Sequence, residues 1–138
     1  ELSNNKNNFQ SMNETTLSVG GAHSTFGETL KKKKIINSYK ILGTSLDNAI
    51  DKKLIEIPDY IKIDVDGIEH LILIGFSKFL SNQKTKSILL EINKGELKKN
   101  NIIFNLLRKN KFQLKSIEQS KISREGDKKT YNYIYNKI

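Results

Sequence analysis

Between Tyr60 and Ile92 two short apolar runs bracket a stretch of helical spacing, and this pattern restricts the chain more than any other feature. Tyr60-Ile61-Lys62-Ile63-Asp64-Val65 is entered after Pro58 and closed by Asp66-Gly67, which predicts a β-branched strand. Ile68, Leu71, Ile72, Phe76, Phe79 and Leu80 then recur at the spacing of one helix face. Gly75 falls inside that helix and marks either a kink or close packing against the sheet. Ser87 to Ile92 is a second apolar strand, read as buried on both faces. A second helix is expected over Glu96 to Asn110, with Leu97, Ile102, Ile103, Leu106 and Leu107 on one face. Phe112 to Ile117 reads as a third strand, and Thr130 to Ile138, past a charged loop with Gly126-Asp127, as a Tyr-rich fourth.

Strands alternating with helices imply an α/β fold. Right-handed crossovers give a mostly parallel sheet, and the closing pair, joined without a helix, gives an antiparallel edge hairpin. The earlier part is weaker. Glu1 to Thr29 is polar and reads as loop with one short strand around Thr15 to Val19. Ile35 to Gly43 alternates weakly and reads as a strand, and Ser45 is positioned to cap a helical turn over Leu46 to Ile50. The organisation expected is a single domain over 1–138, with a polar loop and weak strand region over 1–43 and a strand–helix core over 44–138.

With 138 residues the chain suffices for one domain but is small for a complete doubly wound enzyme. Its longest apolar stretch, Ile68 to Leu80, is broken by Glu69, His70, Ser77 and Lys78, so no transmembrane helix is expected. The first residues lack the pattern of a signal peptide, and cysteine is absent, which excludes disulfides and thiolate metal sites. A cytoplasmic location is the default. The net charge of +9 comes almost entirely from lysines dispersed among Asn and Ile, as an AT-rich coding bias produces. Only Arg108 and Arg124 offer the planar fork suited to phosphate and guanine, so no specific nucleic-acid partner is expected. The run Lys31 to Lys34 reads first as a solvated loop.

In an open parallel sheet ligands bind beyond the carboxyl ends of the strands. Asp64 and Asp66 close the first strand on one side of its pleat, Glu69 follows in the helix, and Glu91 followed by Asn93 closes the second strand. Asp66 reads equally as a helix cap or a functional group, and Glu69 is similarly open. Asp64 stands where Val or Ile would be expected, and a carboxylate there is costly unless it faces a cleft or a partner. Asp64 and Glu91 are therefore read as functional. His23 and His70 have no metal-ligand spacing, and no metal site, phosphate loop or dinucleotide fingerprint is assigned.

Ile61 to Glu69 resembles the "KIDVEGxE" segment of the FkbM methyltransferases, with Asp66 where Glu is usual. Gly75, Ile88-Leu89-Leu90-Glu91, the "TLD"-like Thr44-Ser45-Leu46-Asp47 and the "ALSD"-like Glu1 to Asn5 follow the same family's order and spacing. The resemblance implies the later strands of a Rossmann-like, seven-stranded class I fold. The Gly-containing cofactor loop and the acidic ribose-binding residue are expected before Glu1. It further implies transfer of a methyl group from S-adenosylmethionine to a hydroxyl on a sugar or secondary metabolite, the acceptor being a small molecule or glycan. In that scheme Asp64 and Glu91 are catalytic, Ser3, Asn4 and Asp64 touch the cofactor, and Asp66 and Glu69 touch the substrate. The alternatives are a non-catalytic basic binding domain, or an inactive piece of a methyltransferase.

Overall fold

A computed structural model describes residues 8–14, 24–26, 35–65, 67–119 and 129–138. The chain divides into two compact units, meeting in sequence at Thr44/Ser45. In the first, β1 (Asn8–Glu14), β2 (Ser24–Phe26) and β3 (Asn37–Gly43) form an antiparallel sheet in the order β2-β1-β3. β3 starts two residues later than Ile35, and the strand expected at Thr15 to Val19 lies outside the described residues. The polar β1, expected to be loop, is the centre of this sheet. β3 pairs with it along its whole length and β2 with Met12 to Glu14, which holds it as a strand without strong strand propensity in its polar sequence. Its polar side chains join the pairing. Ser38 Oγ donates to Asn13 Oδ1 at 2.8 Å and Asn37 Nδ2 to Glu14 Oε2 at 3.1 Å.

The second unit contains α1 (Leu46–Asp51), β4 (Tyr60–Ile63), α2 (Glu69–Ile74), β5 (Ser87–Asn93), α3 (Leu97–Lys109), β6 (Phe112–Gln119) and β7 (Thr130–Lys137). Its sheet has the order β4-β5-β7-β6. The expectation of a mostly parallel sheet needs correction: the sheet is mixed, and β4–β5 is its parallel pair. The physical reason is the hairpin's placement. β7 folds back between β5 and β6, so those two strands run in the same direction without touching, and both pairings of β7 are antiparallel.

One face of this sheet carries the core. Ile63 joins Ile88, Leu90 and Ile92 of β5, Phe112 of β6, and Tyr133 and Tyr135 of β7. Leu73, Phe76, Leu80, Ile103 and Leu107 from the helical segments close the cluster. β5 was expected to be buried on both sides; instead Ile88, Leu90 and Ile92 are buried while Ser87, Leu89 and Glu91 are half-buried. Full burial of each large apolar side chain contributes about 1.5–3 kcal/mol, so the face lined by the helices dominates stability.

The helix expected through Leu80 stops at Gly75. Its apolar face continues through a turn, with Phe76 and Leu80 fully buried. The Asp47 carboxylate accepts from the backbone N–H groups of Lys78 at 3.0 Å and Phe79 at 3.3 Å and holds that turn to α1. Gly75 is a close approach, but to the start of α1 rather than to the sheet: a Cβ there would lie 3.2 Å from Ser45 Cβ. Ser45 caps α1 as expected, accepting from Asn48 N at 3.1 Å. On α3, Leu97 and Ile102 point to solvent, and Asn100 takes an inner position, its Nδ2 donating to the Asn93 carbonyl at 2.8 Å. Among the described residues no helix is long and apolar enough to cross a membrane.

Candidate functional site

The parallel pairing of β4 and β5 sets Ile63 beside Leu90. One residue further along both strands come Asp64 and Glu91, and the alternation that turns Ile63 and Leu90 into the core turns these two carboxyl groups to the opposite face. Glu91 acts on the Asp64 carboxyl group from there. Regular strand ends at Ile63, so Asp64 stands just beyond β4 and is exposed, which removes the desolvation cost a carboxylate inside the sheet would carry.

Lys62 shares that face, and its Nζ lies 2.8 Å from Asp64 Oδ2. The hydrogen bond from Lys62 is the largest influence on Asp64 and holds its carboxyl below the usual aspartate range; partial burial opposes this, and the Lys62 charge and the Glu91 hydrogen bond reinforce it. Lys62 is raised in turn, chiefly by its hydrogen bond to Asp64, with a smaller contribution from the charge of Glu91. Beside the pair is an open cavity of about 460 Å³. Leu46, Ile55, Ile61, Val65 and Ile72 make its walls largely apolar, and Lys62 and Asp64 are its charged members.

The loop leaving β4 is held from within. Gly67 adopts φ +89°, a left-handed conformation that a side chain would strain. Its N–H lies 3.0 Å from Glu69 Oε1 and 2.8 Å from the Val65 carbonyl. Glu69 is 8% exposed at the first turn of α2, where the helix N-terminus favours a negative charge. His70 follows, with its Nδ1 buried and lacking a hydrogen-bond partner among the described residues. Burial, then the Lys99 charge, depress its basicity against the pull of Glu96. Asn93 shapes the turn into α3 by accepting from Gly95 N at 2.8 Å.

The structure thus brings Asp64 and Glu91 together and places Glu69 inside the neighbouring loop. Ser3, Asn4 and Asp66 lie outside the described residues. Lys62 was missed as a site residue. The signal was present: the period of two that puts Asp64 and Asp66 on one side puts Lys62 there too.

A family model described as the methyltransferase FkbM domain matches residues 2–119. The chain belongs to the FkbM methyltransferase family. The match spans the described parts of both units up to the end of β6. No curated protein and no solved structure matches the chain. Within the family assignment, the segment from Ile61 to Glu69 has a physical reading: Lys62 and Asp64 present charge on one sheet face, Gly67 makes the reversal, and Glu69 anchors it.

Proposed function

We propose that this chain is the later part of one methyltransferase domain, including both compact units, that methylates a hydroxyl oxygen of a small molecule or glycan. The observation that supports the reading is the parallel register of Ile63 with Leu90, which carries Asp64 and Glu91, the next residue of each segment, to one face towards the carboxyl ends of adjacent parallel strands. This is where doubly wound sheets bind ligands. β4, β5 and β6 run in one direction like half of such a sheet, with β7 inserted in reverse.

S-adenosylmethionine, when bound, supplies a methyl group on a positively charged sulfur. The residues described fit it in part: the carboxyl groups of Asp64 and Glu91 suit hydroxyl or ammonium donors, and the cavity offers apolar wall, but no phosphate- or nucleotide-type Gly-rich loop is in the chain. Asp64 would accept a hydrogen bond from the acceptor hydroxyl and fix its direction, which is the main requirement of an in-line transfer. Glu91 would hold Asp64 in place. Glu69 acts at one remove, by accepting from Gly67 N–H.

The basic-binding-domain reading needs exposed aromatic platforms beside gathered lysines. Here Tyr133 and Tyr135 are buried, while Lys94 sits 3.7 Å from the Tyr131 ring centre and Lys137 4.3 Å from that of Phe112. These two lysines and rings are occupied with one another.

Calorimetry and methyl transfer from radiolabelled S-adenosylmethionine to a panel of polyols test the proposal. The chain alone should bind the cofactor more weakly than about 1 μM, roughly 8 kcal/mol, because Asp64 and Glu91 supply only part of a site. In the active enzyme Asp64→Asn should lower transfer far more than cofactor affinity. Equal losses of both, or tight cofactor binding untouched by Asp64→Asn, would place the site elsewhere.

A further inference from the structure

The sheet order β4-β5-β7-β6 leaves β4 at an edge, and among the described residues no strand pairs with its other side. One contact gives the direction of its free backbone groups. The Asp59 carbonyl, just before β4, accepts from Lys86 N at 2.7 Å and so points to β5. Backbone groups alternate sides along an extended segment. Ile61 and Ile63 therefore also face β5, while Tyr60, Lys62 and Asp64 turn their N–H and C=O groups outward. An apolar groove follows this edge: Leu46, Ile55, Pro58 and Ile72 line it together with β4, and no residue of β5 does. Leu54 and Ile55, on the approach to β4, and Tyr60 within it are 69%, 43% and 71% exposed. Unpaired backbone beside apolar surface is a template for a further strand.

We propose that this edge is an interface between two copies of the chain, joined antiparallel through β4 about a two-fold axis at Ile63. The charge pattern selects both the occupant and the register. A lone lysine on an edge strand repels a neighbouring copy, but Lys62 is followed on the same face by Asp64, so the segment complements its own reverse. Centred on Ile63, the Lys62 of each copy stands opposite the Asp64 of the other, with about 5 Å between Cβ atoms. Both residues turn their backbone outward, so each such pair exchanges N–H and C=O groups directly. Sliding the copies by two residues sets Lys62 against Lys62, or Asp64 against Asp64. Sliding them by one aims the outward groups of one strand at inward-facing residues of the other. On the helix side the same register brings Ile61 of each copy to Val65 of the other, beside the apolar groove. The contact is isologous and closes as a dimer. It stands apart from the methyl-transfer reading, because it draws only on the pairing capacity of β4 and its flanks.

Sedimentation equilibrium of the full chain, over a concentration series reaching about 1 mM, tests this without cofactor or acceptor. The mass should rise towards twice the 15.8 kDa of one chain. Lys62→Glu sets like charges opposite one another at two places, as does Asp64→Lys, and each should weaken self-association about tenfold or more. Mixed in equal amounts, the two variants should associate as the parent does, because the altered residue of each then faces its opposite charge. The double variant Lys62→Glu/Asp64→Lys should recover association by the same logic. A chain that stays monomeric throughout the series overturns the proposal; slow amide exchange at Lys62 and Asp64 in that monomer would assign the edge to a strand of the same polypeptide. A dimer that the single variants leave intact, or that mixing does not restore, overturns it equally by putting the contact elsewhere. Unchanged far-ultraviolet circular dichroism in the variants ties the losses to the contact, as the 65% and 47% exposure of the two side chains leads one to expect.

Discussion

The sheet β2-β1-β3 and the sheet β4-β5-β7-β6 are both held by strand pairing but differ in how far their described side chains are buried. In the larger sheet the helical segments cover one face, and Ile88 and Leu90 on neighbouring inward positions of β5 are 0% exposed. In the smaller one, Phe9 and Leu42 are direct cross-strand partners yet remain 70% and 60% exposed. In the larger sheet the helical layer removes the inward side chains from water, and such burial is a main source of folding free energy.

The same residue type in the two sheets gives the sharpest test. Phe76 is fully buried in the turn after α2, and Phe76→Ala should cost about 3–5 kcal/mol in urea unfolding. Phe9→Ala should stay within about 0.5 kcal/mol. If the two variants lose similar stability, the smaller sheet has a covered face and the contrast between the units collapses.

Alkaline pH probes the covered face of the larger sheet. The Tyr135 hydroxyl is pushed up to about 12, first by burial and then by the nearby Tyr133. The neutral form is thus favoured in the folded chain, whereas an unfolded tyrosine ionises near 10. The associated stability is complete below that point and lost as pH rises towards about 12, a decline of about 1–3 kcal/mol. Unfolding followed across that range should show the decline in the parent chain and a flatter profile in Tyr135→Phe. Equal slopes would mean that Tyr135 is wetter than its 7% exposure indicates.

What could be read from sequence follows the same division. β4, β5 and α3 were legible because their apolar periodicities are imposed by a one-sided or two-layer core. Even so, Leu97 and Ile102 were assigned inward, since periodicity cannot show that Asn100 secures an inner position by bonding the Asn93 carbonyl. The early stop of α2 was equally hidden, because Asp47, distant in sequence, bonds the turn that follows Gly75. β1 has little apolar pattern to read, being held by its neighbours' backbones. At the candidate site, Asp64 and Glu91 were legible as charges ending apolar runs. Lys62 was not singled out, although the period of two already sets it beside Asp64, which it meets in the structure.

Within the larger sheet the contrast between covered and uncovered recurs across one strand, and it predicts the smallest effect. Ile63 is 4% exposed on the covered face; Asp64, next in sequence, has a side chain 47% exposed on the other. Its ion pair with the still more exposed Lys62 adds little to stability, because water screens both partners. The sign follows from the lowered carboxyl group: the stabilisation is present above the ordinary aspartate range and disappears as pH falls through the lower value of the folded chain. Asp64→Asn should therefore shift unfolding midpoints only slightly at neutral pH and not at all once the parent's carboxyl group is protonated. A thermal scan of both chains at neutral and strongly acidic pH would show the difference closing. If Asp64→Asn instead destabilised the fold as severely as the loss of a core side chain, Asp64 would be a buried structural anchor, and the functional reading of the carboxyl pair would fail with it.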